Sequence, residues 1–264
     1  MEDFSQYNGE GTILRKVQLR LVDMLVEIDK ICRKHNIQYW IDFGTLLGAI
    51  RHKGFIPWDD DVDVTMPTED LLRFLEIAPK ELPSSLFLQT KTSDPSFRRT
   101  LNKIRDNHSL YITPNEDFSK DYHKGLFIDL FELVPYPTVK SKLQKAIMRW
   151  YMKTTSFYFV KQEITLKNHL ASLTFPIIRA GLHVLWMLLN LKPKNKVGYE
   201  KHFSVYGNSY SKDMIYPLKD ISFEGHVFRA PANPDRYLTS IYGDYMKIPP
   251  EEKRRIHMAQ VFFL

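Results

Sequence analysis

From residue 13 to residue 35, apolar side chains recur at helical spacing: Leu14, Val17, Leu21, Leu25, Ile28 and Cys32. The pattern predicts one amphipathic helix with a single buried face. The rhythm then changes. Residues 38–42 predict a strand, and 45–52 a short helix opening at Gly44. Gly54 and Pro57 mark a turn, and 61–65 predict a second strand. A helix follows over 70–77 with Thr68 as its cap. Residues 86–89, 100–105, 110–112 and 126–131 alternate or run apolar as strands do, and Pro135 and Pro137 end that run. Near the C-terminus two short strands, 221–223 and 226–228, precede a helix over 235–242.

Between these halves lies a segment of different character. Residues 138–201 hold twelve lysines and arginines against two acidic residues, Glu163 and Glu200. The segment therefore carries +10 of a chain whose total is +6, and the remainder is about −4. Its pattern reads as mostly helical. Residues 170–191 are apolar enough to raise the question of a membrane span, but Arg179, His183 and Asn190 form one polar stripe and Pro176 interrupts the run. An arginine at mid-span would cost about 2.5–3.5 kcal/mol. An amphipathic helix in a core or at a bilayer interface fits better.

Composition adds limits. With 264 residues, 44% of them hydrophobic, the chain is long enough for one large domain or a domain with an insertion. Its single cysteine, Cys32, excludes an intrachain disulfide, and no Cys/His metal-ligand spacing occurs. The first residues, Met-Glu-Asp-Phe, lack the basic and apolar regions of a signal peptide, so a cytoplasmic location is expected. Nucleic-acid binding is the remaining reading of the basic segment, but the acidic remainder would repel phosphate, and no nucleic-acid partner is expected.

The chemistry concentrates in residues 42–64. Asp59, Asp60, Asp61 and Asp63 place four carboxylates within five residues. Such charges repel, and a folded chain keeps them together cheaply only when cations neutralise them. On an extended strand Asp59, Asp61 and Asp63 share one face, while Asp60, Val62 and Val64 share the other. Oxygen ligands on one face suit Mg²⁺ or Mn²⁺. A solvated acidic turn is the plain alternative, and Val62 and Val64 argue against it. Asp59 is expected to join the metal or bind its waters, and Asp60 to be structural. Gly44 and Thr45 open a helix, where backbone N–H groups suit an anion. Lys103 and Arg105 alternate on a strand and could face phosphate or merely solvent. Arg51, His52 and Lys53 stand beside the acidic stretch, with His52 a minor candidate for carrying a proton.

A Gly-Thr turn followed by an Asp-x-Asp strand resembles the nucleotidyltransferase fold. The longer strings, residues 40–48 (WIDFGTLLG) and 56–63 (IPWDDDVD), resemble the LicD family of phosphocholine transferases, whose domain fukutin and fukutin-related protein share. The likeness continues in residues 125–131, 216–218, 223–225 and 242–244 and leaves roughly 138–201 unmatched. It implies an α+β fold, a nucleotidyltransferase-like mixed sheet with helices. The catalytic domain would comprise 1–137 and 202–264, and 138–201 would be a basic helical insertion. It implies Asp61, Asp63 and Asp129 as the metal-holding and catalytic carboxylates, with Asp129 also accepting the nucleophile's proton and Glu132 a weaker substitute. Gly44, Thr45, Lys103, Arg105 and Asp59 would bind donor phosphate. A choline head group needs aromatic faces, and Trp40, Trp58, Tyr39, Tyr216 and Tyr242 stand near the matched motifs.

The implied reaction moves phosphocholine from CDP-choline to a sugar hydroxyl of a cell-surface polymer precursor, teichoic acid or a similar glycan, and releases CMP. The acceptor would be a lipid-linked oligosaccharide. The enzyme would then sit at the inner face of the cell membrane, held to an anionic surface by its basic segment. The alternatives are transfer of another phosphoalkyl group such as ribitol phosphate, transfer of a nucleotidyl group, or a non-catalytic membrane-associated binding protein.

Overall fold

The computed structural model describes residues 3–97, 101–114, 118–136, 195–199, 209–254 and 256–264, with isolated helical positions between 166 and 188. The chain divides into two compact units, Met1–Phe131 with Ile215–Leu264, and Glu132–Met214.

The first unit is built on the amphipathic helix read from the sequence. A short helix, α1 (Ser5–Asn8), precedes α2 (Ile13–Lys34). Thr12 caps α2 by accepting from the Arg15 N–H. All six apolar positions of the expected face are buried, joined by Val22, Met24 and Ile31. Each such side chain contributes roughly 1.5–3 kcal/mol on leaving water, so this face is a principal source of core stability. The strands form the second layer. They are β1 (Trp40–Ile41), β2 (Val62–Pro67), β3 (Leu86–Gln89), β4 (Asn102–Asp106) and β6 (Phe127–Pro135), in the order β1-β2-β6-β4-β3. Strand β5 (Ser109–Ile112) lies off this sheet and pairs antiparallel with β11 (Gln260–Phe263) at the C-terminus. Helices α3 (Phe43–Arg51) and α4 (Thr68–Glu81) flank β2 in sequence. The expected α+β class is the one observed.

Several boundaries differ from the sequence reading. The strand expected over 38–42 is confined to Trp40–Ile41, because Asp42 already caps α3. Helix α4 starts at Thr68 itself, with Pro67 before it and no side-chain cap. A hairpin, β9 (Lys219–Phe223) and β10 (His226–Ala230), turns through Glu224 and Gly225, both at positive φ. The Glu224 carboxylate takes the Phe55 N–H at 3.0 Å and the Arg15 guanidinium at 2.7 Å, which fixes the loop leading to β2. A later helix (Pro234–Tyr242) buries Tyr237 and Leu238.

In the second unit the end of β6 pairs with β7 (Lys196–Tyr199), and β7 with β8 (Ser209–Ser211), all antiparallel. Lys196–Tyr199 is therefore a strand and not part of a helix. Most of residues 138–201, including Arg179, His183 and Asn190, lie outside the described residues. Between 166 and 188 the described positions are helical, and Leu166, Leu173, Ile177, Val184, Met187 and Leu188 are exposed. Among the described residues no helix is long and apolar enough to cross a membrane.

Candidate active site

The chain leaves β1 and turns into α3 at Asp42–Phe43, and this turn is pinned to β2. The Asp42 carboxylate is fully buried. It accepts from the Phe43 N–H (2.7 Å), Trp40 Nε1 (3.1 Å), Thr65 Oγ1 (2.6 Å) and Tyr237 Oη (3.0 Å). Such full satisfaction is what lets a buried carboxylate persist. The Asp42 N–H donates to the Asp63 carbonyl at 2.9 Å, and the Asp63 N–H donates to Thr45 Oγ1 at 2.9 Å. Phe43 sits at φ +40°, a left-handed conformation that side chains rarely adopt and that this network enforces. A Cβ on Gly44 would stand 2.7 Å from Asp59 Oδ2, so the acidic loop lies directly against the start of α3. Gln18 reaches from α2 to hold the Asp59 carbonyl at 2.8 Å.

These constraints press Asp59, Asp61 and Asp63 together. Burial, first, and then the charges of Asp61 and Asp60 push the Asp59 carboxyl well above the usual carboxylate range. Burial followed by Asp61 and Asp129 does the same to Asp63. Asp61 rises to about 6 through burial, Asp60 and Asp129. Asp59, Asp61 and Asp63 thus act on one another electrostatically, and Asp129 of β6 belongs to the same field. Asp60 points elsewhere, as expected. It is buried, and accepts from Tyr111 Oη (2.7 Å) and from the backbone N–H groups of His257 (3.1 Å) and Met258 (2.7 Å).

Lys103 lies opposite Asp129 in the β4–β6 register, and its ammonium forms a buried ion pair with the Asp129 carboxylate. The same ammonium stands 3.5 Å from the centre of the Phe127 ring. Arg105, also buried, donates to Gln89 Oε1 and to the Gly125 carbonyl, both at 2.7 Å. It reads as a brace between strands. Trp40 is wholly enclosed, so it presents no face to a head group. Trp58 packs edge-on to Phe4 and Tyr7, and the Arg254 guanidinium lies 5.0 Å from its ring. Tyr39 and Tyr216 line a cavity of about 560 Å³ with Leu218 and Arg229. His52 is held near 4 by burial and the adjacent Arg51 charge, so it is neutral at pH 7, where Arg51 Nε donates to it at 2.9 Å.

One residue of the site lies beyond every motif. His257 brings a ring nitrogen to a cluster with Asp59 and Asp61 in which the three donor atoms all lie within 4.8 Å of one another. Carboxylate oxygens and an imidazole nitrogen form a donor set that fits a divalent cation. The carboxyls also fit it: burial and mutual repulsion penalise their ionised forms, a cost that a cation would relieve.

This has a measurable consequence. Metal and protons compete for the same carboxyls, so metal affinity increases with pH. Folded Asp59, Asp61 and Asp63 bind protons more tightly than the unfolded chain, so without metal they cost stability as pH rises through about 6 and beyond. His52 works in the opposite sense, but only below its unfolded value near 6.5. Saturating Mn²⁺ or Mg²⁺ is expected to raise the melting temperature several degrees more at pH 7.5 than at pH 5.5, measured against EDTA by thermal shift. Equal shifts at both pH values would contradict this reading.

Comparisons with known proteins agree with the geometry. A family model described as the LicD/FKTN/FKRP nucleotidyltransferase domain matches residues 36–176. The chain is 30% identical over 271 residues to the lipopolysaccharide cholinephosphotransferase LicD of Haemophilus influenzae, covering 95% of this chain and 98% of that one. It is 43% identical over 79 residues to an uncharacterised protein of Rickettsia prowazekii, covering 30% of this chain and 28% of that one. Over 35 residues it is 51% identical to the human ribitol 5-phosphate transferase FKRP, covering 13% of this chain and 7% of that one.

Proposed function

This chain belongs to the LicD family, and on that premise we propose that it transfers phosphocholine from CDP-choline to a sugar hydroxyl of a cell-surface glycan precursor, such as teichoic acid, releasing CMP. The observation that carries the reading is the pairing of two facts. The chain aligns over 95% of its length with a cholinephosphotransferase, and Asp59, Asp61 and His257 bring three possible ligand atoms within 4.8 Å of one another.

Asp59, Asp61 and Asp63, with Asp129 beside them, would hold Mg²⁺ or Mn²⁺. When bound, the ion supplies neutralisation of the diphosphate charge. The donor diphosphate lies against the backbone at Gly44 and Thr45, at the start of α3. The sugar oxygen attacks the phosphorus that bears choline, and the bond from that phosphorus to the CMP oxygen breaks. The hydroxyl proton passes to the Asp129 carboxylate, which the Lys103 ion pair holds in position. Among CDP-choline, CDP-ethanolamine and CDP-ribitol at equal concentration, CDP-choline is expected to compete best. The match to a ribitol 5-phosphate transferase favours a second reading over a short stretch only, and tightest binding of CDP-ribitol would establish it in place of the first.

The acceptor is lipid-linked, and the basic segment brings the enzyme to it. Two features support this. Residues 138–201 carry +10, and the described helical positions from Leu173 to Leu188 are apolar and exposed. Each basic residue near an anionic leaflet contributes about 1 kcal/mol. In liposome flotation, binding is expected to require anionic lipid, to weaken with salt, and to fall in Ile177→Glu and in the double change Lys192→Glu, Lys194→Glu. Absence of flotation at every lipid composition would refute the membrane reading.

A further inference from the structure

The C-terminal segment reaches the acidic cluster by a route with no counterpart in the motifs. Its backbone is fixed twice. The N–H groups of His257 and Met258 donate to the Asp60 carboxylate, and the strand that follows pairs with β5, Phe262 opposite Leu110. The Ala259 N–H donates to the Ile112 carbonyl at 2.8 Å between these two attachments. Asp60 thereby turns away from the other three carboxylates and anchors the segment that carries His257. The imidazole it delivers has Nδ1 3.2 Å from Asp60 Oδ1 and a ring nitrogen within 4.8 Å of donor oxygens on both Asp59 and Asp61. Its side chain is 59% exposed, so packing into a core does not account for its position.

We propose that His257 is a ligand of the catalytic cation, supplied by the C-terminal segment and oriented by Asp60. The inference rests on the metal-dependent reading above and deepens it. A carboxylate on the far nitrogen of a metal-binding histidine is a recurrent device, since it fixes the ring and raises its basicity. The nitrogen donor also sets the choice of ion. Mg²⁺ prefers an all-oxygen environment, whereas Mn²⁺ accepts carboxylate and gains from imidazole. The site therefore favours Mn²⁺.

The test uses the full chain and Mn²⁺ alone, with no substrate. Mn²⁺ binding is followed by loss of the free-ion electron paramagnetic resonance signal, and Mg²⁺ by its competition. Pulsed measurements on the Mn²⁺-loaded protein report whether a histidine nitrogen is coupled to the ion. Wild type is expected to show that coupling and to prefer Mn²⁺. His257→Gln is expected to lose the coupling, to bind Mn²⁺ roughly tenfold or more weakly, and to change little toward Mg²⁺. Asp60→Asn is expected to weaken Mn²⁺ less than His257→Gln does. Tight Mn²⁺ binding without nitrogen coupling, or unchanged in His257→Gln, overturns the role of His257 and leaves the carboxylate site standing. No Mn²⁺ binding by wild type overturns both.

Discussion

Asp61→Asn and Asp63→Asn should each lower the transferase rate by at least about a thousandfold, because metal-borne charge stabilisation is worth several kcal/mol and each 1.36 kcal/mol is a factor of ten. The fold should survive. Asparagine keeps the shape of the side chain and removes one of several charges that burial and mutual repulsion already penalise. In EDTA at pH 7.5 both variants are therefore expected to melt at or above the wild-type temperature. Loss of activity with gain of metal-free stability is a signature that simple misfolding does not produce. Activity within tenfold of wild type in either variant would remove the metal site from the mechanism.

The second large effect concerns the buried pair between Lys103 and Asp129. Both side chains are largely out of water, at 4% and 14% exposure, so removing one partner strands a charge. Lys103→Met should cost about 3–5 kcal/mol of stability, read as a shift in the urea midpoint. The stranded Asp129 would then face Asp61 and Asp63 without a counter-ion. Asp129→Asn should lower turnover by roughly 10²–10⁴, the usual contribution of a general base, while donor binding is retained. Loss of donor binding would make Asp129 chiefly a metal ligand. The double variant should regain much of the stability lost in Lys103→Met but none of the activity. Additive destabilisation would mean that the pair is not coupled.

What could be read in the sequence was the part with local spacing. Asp59, Asp61 and Asp63 lie on one short stretch, and alternation alone put them together. The apolar face of α2 followed from its period, and all six expected positions are buried. What depends on register between distant segments was not legible. Lys103 was a candidate for phosphate, yet it stands opposite Asp129 because β4 and β6 pair in one particular register. Arg105, two residues on, braces Gln89 and Gly125 instead. Trp40 stood beside the motif in sequence, but the turn that caps α3 draws it into the core, where its Nε1 serves Asp42. His257 had no signal at all. It lies 194 positions beyond Asp63 in a segment without periodicity, and the pairing of β11 with β5 together with the Asp60 anchor delivers it. The same holds for Glu224, whose role in clamping the loop at Phe55 arises from a hairpin far along the chain.

Transfer of phosphocholine at this acidic cluster with the help of a divalent cation is open to a direct measurement. The most direct measurement incubates the purified chain with CDP-choline and extracted lipid-linked glycans, with Mn²⁺ or Mg²⁺ or with EDTA, and follows CMP and choline-bearing glycan together. Both products are expected to form in equal amounts, only when metal and acceptor are present, and neither is expected to form with Asp61→Asn. CMP and choline-bearing glycan formed at the same rate in EDTA, or no transfer of choline to any glycan while another donor is consumed, would contradict it.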